Sequence, residues 1–345
     1  MRAANDKLFS WLLANGPTAR FNLSSSGLPE PELAALGVDT SFERFAAEKD
    51  EHAKRLSEEI ASLYMVEPQN IVLTNGGSEA IFLVYSVIGP GKRAIVPMPN
   101  YGPMSAVPRA LGMRVSDSLQ TGARAKRTLF GLTDPNNPTG QSLSPDFTES
   151  VKDSSRSEGS AVFINETYRE FTFPASPRTH FGGSEHTVVC STMTKFFGLG
   201  RLRVGWVIAD KGTAQKIGYA KWAVSAHDSE YSLWIAAQVL KRHQIFVERA
   251  RRIYNTNSRL VRRFVAETEG VSTELGPAPF CLVRYHTGPG SVTLARTVLQ
   301  KTGVMVAPGD FFGAPRSFRL CFTAEEGVLR AGLEELSAFL NRLAA

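Results

Sequence analysis

Lys195 follows the short β-branched run Thr187–Ser191 and closes the segment Ser191-Thr192-Met193-Thr194-Lys195, with Gly198, Gly200 and Gly205 around it and Arg203 eight residues further on. A lysine amine at the end of a buried strand can attack a carbonyl, and a guanidinium beside a glycine-rich loop can hold an anion. A surface lysine next to a loop accounts for this segment equally well. Thr74-Asn75-Gly76-Gly77-Ser78-Glu79-Ala80 reads as a strand end, a glycine turn and a helix start. Backbone N–H groups converge at such a turn and the helix N-terminus adds positive potential, so a phosphate fits there, although a plain tight turn reads the same way. Asp134-Pro135-Asn136-Asn137-Pro138-Thr139-Gly140 has the composition of a proline-rich turn, and Asn165-Glu166-Thr167-Tyr168 brings polar side chains to the end of the apolar run Val162–Ile164. Arg319 interrupts the apolar run Phe318–Phe322, and a charge in such a place requires a partner or a ligand carboxylate.

Positioning these residues requires a series of strands. From residue 54 the pattern is apolar strand, turn and helix, repeated: Ile71–Thr74, Ala94–Pro97, Met113–Ser116, Thr128–Thr133, Ala161–Ile164, Thr187–Ser191 and Val204–Ala209 read as strands, and Ser78–Ile88 as a helix. Alternation of this kind predicts an α/β fold with a mostly parallel sheet, helices on both faces, and chemistry at the carboxyl ends of the strands. Residues 230–267 read as one long helical stretch. Beyond it, Phe280–Tyr285, Val304–Ala307 and Ser317–Phe322 are strands of a smaller α+β domain. The closing helix begins with Thr323 and Glu326 as a capping box and carries a core stripe through Leu329, Leu333, Leu336 and Leu340. The expected organisation is an N-terminal arm with part of the small domain over 1–45, a large domain over 46–255 and a small C-terminal domain over 256–345. Phe21–Glu30 is expected to cross back toward the small domain or the site.

Composition narrows the function. With 43% hydrophobic and 21% charged residues the 345-residue chain is globular, so disorder, collagen-like repeats and coiled coil are excluded. Its three cysteines, Cys190, Cys281 and Cys321, are too few and too scattered for a disulfide framework or a zinc site, which points to a reducing cytoplasm. The opening MRAANDKLFSWLLANG has a short apolar run without the layout of a signal peptide, and no apolar stretch is long enough for a membrane helix. The net charge of +6 is spread over short runs, Arg124, Lys126 and Arg127, then Arg249, Arg251, Arg252, Arg259, Arg262 and Arg263. These read as a solvated helix face, not a nucleic-acid stripe. Neither nucleic acid nor a membrane is an expected partner.

Taken together, GGSEA, Tyr101, DPNNPTG, NETY, STMTK with Arg203, and FRLCF, in that order, resemble the class I/II aminotransferases, enzymes dependent on pyridoxal 5'-phosphate (PLP). The resemblance runs from about Phe21 to the last helix. It implies fold type I, with a mostly parallel seven-stranded sheet in the large domain and a smaller α+β C-terminal domain. It also implies roles. Lys195 holds the cofactor covalently and shuttles protons at the substrate Cα. Gly77, Ser78, Thr192, Thr194 and Arg203 hold its phosphate, and Tyr101 stacks on its ring. Asn137 and Tyr168 hydrogen-bond the ring's phenolic oxygen. Arg319 clamps the substrate carboxylate, with Asn137 and Gly27 beside it. An amino acid is the implied substrate and a homodimer the implied assembly. NLSSSG, VMVAPGDFFG and FRLCFTAEEGVLRAGLEEL look most like a natural-product branch that includes capreomycidine synthases and lincosamide cysteinyl-processing enzymes.

Three features depart from the family pattern. Asn165 stands where the family carries an aspartate against the ring nitrogen, which leaves open whether Glu166 moves in. Phe42–Arg55 lacks the usual glycine- and tyrosine-containing segment that reaches a neighbouring subunit's phosphate. The link between Val115 and Thr128 is short. The sequence supports an ordinary aminotransferase, a specialised enzyme of the same fold (elimination, decarboxylation, cyclisation or oxidation), or a non-catalytic PLP-binding relative. The site residues argue against the last. The substrate side chain is expected among Ser24–Leu28, Tyr101–Met104 and Ala226–Tyr231.

Overall fold

Apolar side chains on alternate residues of a strand face opposite ways, so a sheet of such strands needs a cover on both faces. The structure, a computed structural model, describes residues 7–48, 51–118, 126–173 and 179–344. Arg124, the opening residues 1–6, and Lys49 and Asp50 of the departing segment lie outside them. The described chain opens with helix α1 (Lys7–Asn15) and the short strand β1 (Phe21–Asn22), followed by α2 (Phe42–Ala47) and α3 (His52–Tyr64). Seven strands then build the large sheet: β2 (Ile71–Thr74), β3 (Arg93–Ile95), β4 (Val115–Ser116), β5 (Thr128–Thr133), β6 (Ala161–Asn165), β7 (Thr187–Thr192) and β8 (Gly205–Ile208). Their order is β2-β8-β7-β6-β5-β3-β4, and all pairs are parallel except those of β8, which runs antiparallel to β2 and β7.

Along β6, Val162 and Ile164 enter one core while Ala161 and Phe163 enter another. The first core is closed by α3, by α6 (Pro145–Ser155) and by α8 (Glu230–Lys241). The second is closed by α4 (Gly77–Ile88), α5 (Gly102–Ala110) and α7 (Lys211–Ser225). Helix α9 (His243–Glu267) passes the expected boundary near residue 255 without interruption: Phe246, Val247 and Ala250 join the first core, and Val261 and Phe264 a third. That third core fills the smaller sheet, β12-β13-β10-β9, made of β9 (Val271–Ser272), β10 (Phe280–Tyr285), β12 (Ala307–Pro308) and β13 (Ser317–Cys321). It is covered by α10 (Ser291–Thr302) and α11 (Glu326–Ala344).

Several expectations are corrected. The 230–267 stretch is two helices, broken at Arg242, whose backbone leaves the helical region at φ −105°, ψ 21°. The break lets His243 turn to Glu170, with Nε2 and Oε2 2.7 Å apart. The expected strand Val304–Ala307 is split: β11 (Val304–Met305) pairs with β1, and β12 pairs with β13. Thr323 and Glu326 do not form a capping box, because α11 starts only at Glu326, three residues past Thr323, whose hydroxyl donates to the Ser25 carbonyl at 2.7 Å. Arg249 is not on the solvated face; it is half-buried and donates to the Pro29 carbonyl at 2.6 Å, whereas Arg251, Arg252, Arg259, Arg262 and Arg263 are exposed. No helix among the described residues is long and apolar enough to cross a membrane, and no cluster there could ligate a metal.

Candidate active site

The carboxyl ends of the parallel strands open into one cavity of about 490 Å³. At one corner β2 runs through Asn75 into Gly76, whose φ of 80° puts it in the left-handed region that glycine tolerates, and α4 starts immediately after it. A Cβ at Gly76 would stand 2.5 Å from Nη2 of Arg203, so the missing side chain is what lets the guanidinium approach. Arg203 donates to the carbonyls of Asn75 at 3.0 Å and Gly200 at 3.2 Å. Opposite it, the hydroxyls of Thr192 and Thr194 are 2.9 Å apart. Gly77, Ser78, Thr192, Thr194 and Arg203 all line this corner. Unpaired N–H groups, a helix N-terminus, two hydroxyls and a guanidinium make an anion site suited to a phosphate.

Lys195 lies on the loop after β7 and lines the same cavity. Burial, then the charges of Arg319 and Arg203, push its amine down to about 8. A lysine so poised is an effective nucleophile near neutrality. Arg319 sits in the middle of β13, between Leu282 and Ala307 of its neighbouring strands, and is 1% exposed. Its Nη1 donates to Asn137 Oδ1 at 2.7 Å and its Nη2 to the Ser24 carbonyl at 2.8 Å. The guanidinium lies over the rings of Phe280 and Phe312, and its buried Nε has no partner among the described residues. Such a group is satisfied by a ligand carboxylate. Because Asn137 spends its oxygen on Arg319, its amide N–H groups remain for an acceptor in the cavity. The Tyr168 hydroxyl lies 2.8 Å from Ser26 Oγ, and burial pushes it up to about 12, so it stays a donor.

Asn165 ends β6, is 3% exposed and lines the cavity. Glu166 does not move in beside it: this buried carboxylate accepts from the His180 N–H at 2.6 Å. Asp134 is likewise engaged, by Arg169, His180 and the Leu143 N–H. Burial alone would raise the Asp134 pKa, but those partners outweigh it and hold the carboxyl below its ordinary value.

The structure thus gathers Gly77, Ser78, Tyr101, Asn137, Asn165, Tyr168, Thr192, Thr194, Lys195, Arg203 and Arg319 around one space. Gly27 lies outside it, in an adjoining cleft, where a Cβ would stand 3.1 Å from the Thr194 carbonyl oxygen. Its service is close packing: the neighbouring Leu28 N–H donates to the Lys195 carbonyl at 2.9 Å. No residue of Ala226–Tyr231 in this chain lines the cavity; Leu8, Phe9 and Leu12 of α1 do. The only trace of that wall in the sequence is the apolar run of the first residues, which has no chemical signature. Ser26 lines the cavity within the expected stretch Ser24–Leu28, but its pairing with Tyr168 has no sequence signal, because a serine in a loop carries no sign of a distant tyrosine.

These residues fit PLP. The anion corner would take its phosphate, the Lys195 amine would meet its aldehyde, and Arg319, with its Nε unsatisfied, would take the carboxylate of the amino acid it works on. Bound there, PLP supplies an electron sink that weakens the bonds at the amino acid's Cα. The site and the fold define an enzyme of the PLP-dependent aminotransferase type. The chain belongs to the class I and II aminotransferase family, whose family model matches residues 40–336. A histidinol-phosphate aminotransferase of Carboxydothermus hydrogenoformans is 30% identical, with 82% of this chain and 80% of that relative covered. Among solved structures, a PLP-dependent aminotransferase from Streptococcus suis superposes with a TM-score of 0.87 at 21% identity, covering 99% of both chains. The PLP-dependent cyclase OrfR superposes with a TM-score of 0.85 at 24% identity, covering 99% of this chain and 98% of that one.

Proposed function

We propose that this enzyme takes an amino acid by its carboxylate at Arg319 and carries out a specialised reaction (elimination at Cβ or Cγ, decarboxylation, cyclisation or oxidation) in natural-product biosynthesis. The observation that carries the reading is Asn165, a neutral side chain where the family has an aspartate, with neither Glu166 nor Asp134 turned into the cavity in its stead. In this scheme Arg319 fixes the substrate so that one chosen Cα bond stands across the ring, and Lys195 takes and returns the Cα proton. Asn137 and Tyr168 hold the phenolic oxygen with neutral donors. NLSSSG, VMVAPGDFFG and the terminal FRLCFTAEEGVLRAGLEEL support the capreomycidine-synthase-like branch. We further propose that the enzyme works as a homodimer in the cytoplasm; the three buried, unpaired cysteines suit a reducing compartment.

Ordinary amino transfer is the second reading, favoured by the named function of the histidinol-phosphate aminotransferase relative. Against that relative's substrate, the cations lining the cavity among the described residues are Lys195, Arg203 and Arg319, each with a role in the scheme above, which leaves none of these for a distal phosphate. A substrate panel with product mass spectrometry separates the readings. Amino transfer releases a 2-oxo acid and leaves an aminated cofactor, whereas elimination releases ammonia and leaves the cofactor in its starting form. Stoichiometric oxo acid with no other product would reject the specialised reading.

A further inference from the structure

We infer that Asn165, oriented by Thr167, donates a hydrogen bond to the ring nitrogen of PLP and keeps that nitrogen unprotonated. The argument begins with the amide's orientation. Asn165 Oδ1 accepts both from the Thr167 backbone N–H at 3.1 Å and from the Thr167 hydroxyl at 2.6 Å. A backbone N–H can only donate, so the oxygen of the amide must face it; the flipped amide would set donor against donor. The NH₂ group is thereby turned the other way. Its nearest recorded partner is the Met104 sulfur at 4.0 Å, a weak acceptor that leaves the amide's capacity unspent. The side chain therefore offers a donor to the cavity it lines, and a pyridine nitrogen that accepts a hydrogen bond cannot also carry a proton.

The surroundings act in the same sense. Among the described residues lining the cavity there is no aspartate or glutamate; the ionisable ones are Lys195, Arg203, Arg319, Tyr101 and Tyr168. With Lys195 tied to the cofactor and Arg203 set against its phosphate, the lining offers the ring nitrogen no carboxylate to hold a proton there. The acidic side chains that follow the ends of β6 and β5, Glu166 and Asp134, are committed to His180, Arg169 and Leu143. The inference rests on the cofactor site and is independent of the reaction proposed above.

The test is a ¹⁵N spectrum of the holoenzyme reconstituted with PLP labelled at the ring nitrogen, recorded without substrate. The expected resonance lies in the range of an unprotonated, hydrogen-bonded pyridine and stays there from pH 6 to pH 9. In Asn165→Asp, Thr167 still engages one carboxylate oxygen and the other faces the ring, so the resonance moves upfield to the pyridinium range. Asn165→Ala removes the donor and shifts the signal toward a free pyridine, away from pyridinium. A pyridinium resonance in the unaltered enzyme overturns the inference whether or not any variant folds. A wrong reaction assignment leaves the spectrum untouched. Failure of labelled cofactor to attach at Lys195 would refute the site, and this inference with it.

Discussion

The chemistry of Lys195 follows from two neighbours of like charge and a dry surrounding, and it can be measured before any cofactor is added. With its amine lowered to about 8, Lys195 is charged below that pH and neutral above it, whereas lysines in water change near 10.5. In the cofactor-free protein at pH 8, competitive acetylation should modify Lys195 on the order of a hundredfold faster than exposed lysines. Its rate should level off above pH 9, when the others are still rising. A profile climbing through pH 10 would show that burial does not set this amine. After loading with PLP and reduction by borohydride, the label should be found on the peptide holding Lys195. At Arg319 the fork of N–H groups matters as much as the charge. Arg319→Lys should weaken a carboxylate-bearing substrate analogue by about tenfold or more, the worth of a hydrogen bond to a charged group being ~1.5–3 kcal/mol. Retention of PLP should hardly change, and loss of PLP before loss of the analogue would make Arg319 structural. Lys195 and Arg319 were legible because each breaks a local apolar pattern. The direction in which Asn165 faces was not, since it is decided by a backbone N–H two residues away that every sequence possesses.

Helix α1 is the element that sequence patterns concealed. It is held to the small domain by Trp11, whose indole N–H donates to the Val306 carbonyl at 3.0 Å and whose ring packs edge-on to Phe311. Leu8, Phe9 and Leu12 then form one wall of the cavity. Trp11→Ala should loosen this wall without unfolding the large sheet. Hydrogen exchange should rise over Lys7–Asn15 alone, and KM for the substrate should rise on the order of tenfold, equivalent to about 1.4 kcal/mol. Exchange spreading into β5 and β6 would mean that α1 supports the core instead. The large-sheet strands were readable because their alternating or wholly apolar runs have only one solution between two helical layers. The break between α8 and α9 was not, because Lys241-Arg242-His243 contains neither glycine nor proline; the turn is imposed from outside, by His243 reaching Glu170.

At the scale of the molecule, α7 presents Tyr219 and Trp222 outward, each 69% exposed. Side chains of this kind are common at subunit contacts, and the proposed homodimer would give them a place. Sedimentation at micromolar concentration should return twice the chain mass, and Trp222→Lys should raise the dimer dissociation constant. A fully active monomer would reject the assembly. The family's tyrosine segment is replaced here by α2 and the start of α3, where Phe42 and Phe45 gather against Tyr231 and Trp234. Those aromatics stabilise this chain internally, a use that the missing motif alone did not indicate.

The arm following α1 has a consequence for the order in which the protein can be made. Phe21 pairs with Val304, the Leu23 carbonyl accepts from the Cys321 N–H, and the Ser24 carbonyl accepts from Arg319. Ser26 meets Tyr168, and Leu28 is bonded to Lys195. A stretch made early is thus stitched to one made much later, across separations such as the 295 residues between Ser24 and Arg319. On the ribosome the large sheet can form and engage Ser26 and Leu28 while Phe21–Ser24 wait unpaired, and the carboxylate clamp is missing until β13 has emerged. A nascent chain stalled before Ser317 should therefore leave residues 21–24 open to protease, and release of the full chain should close them.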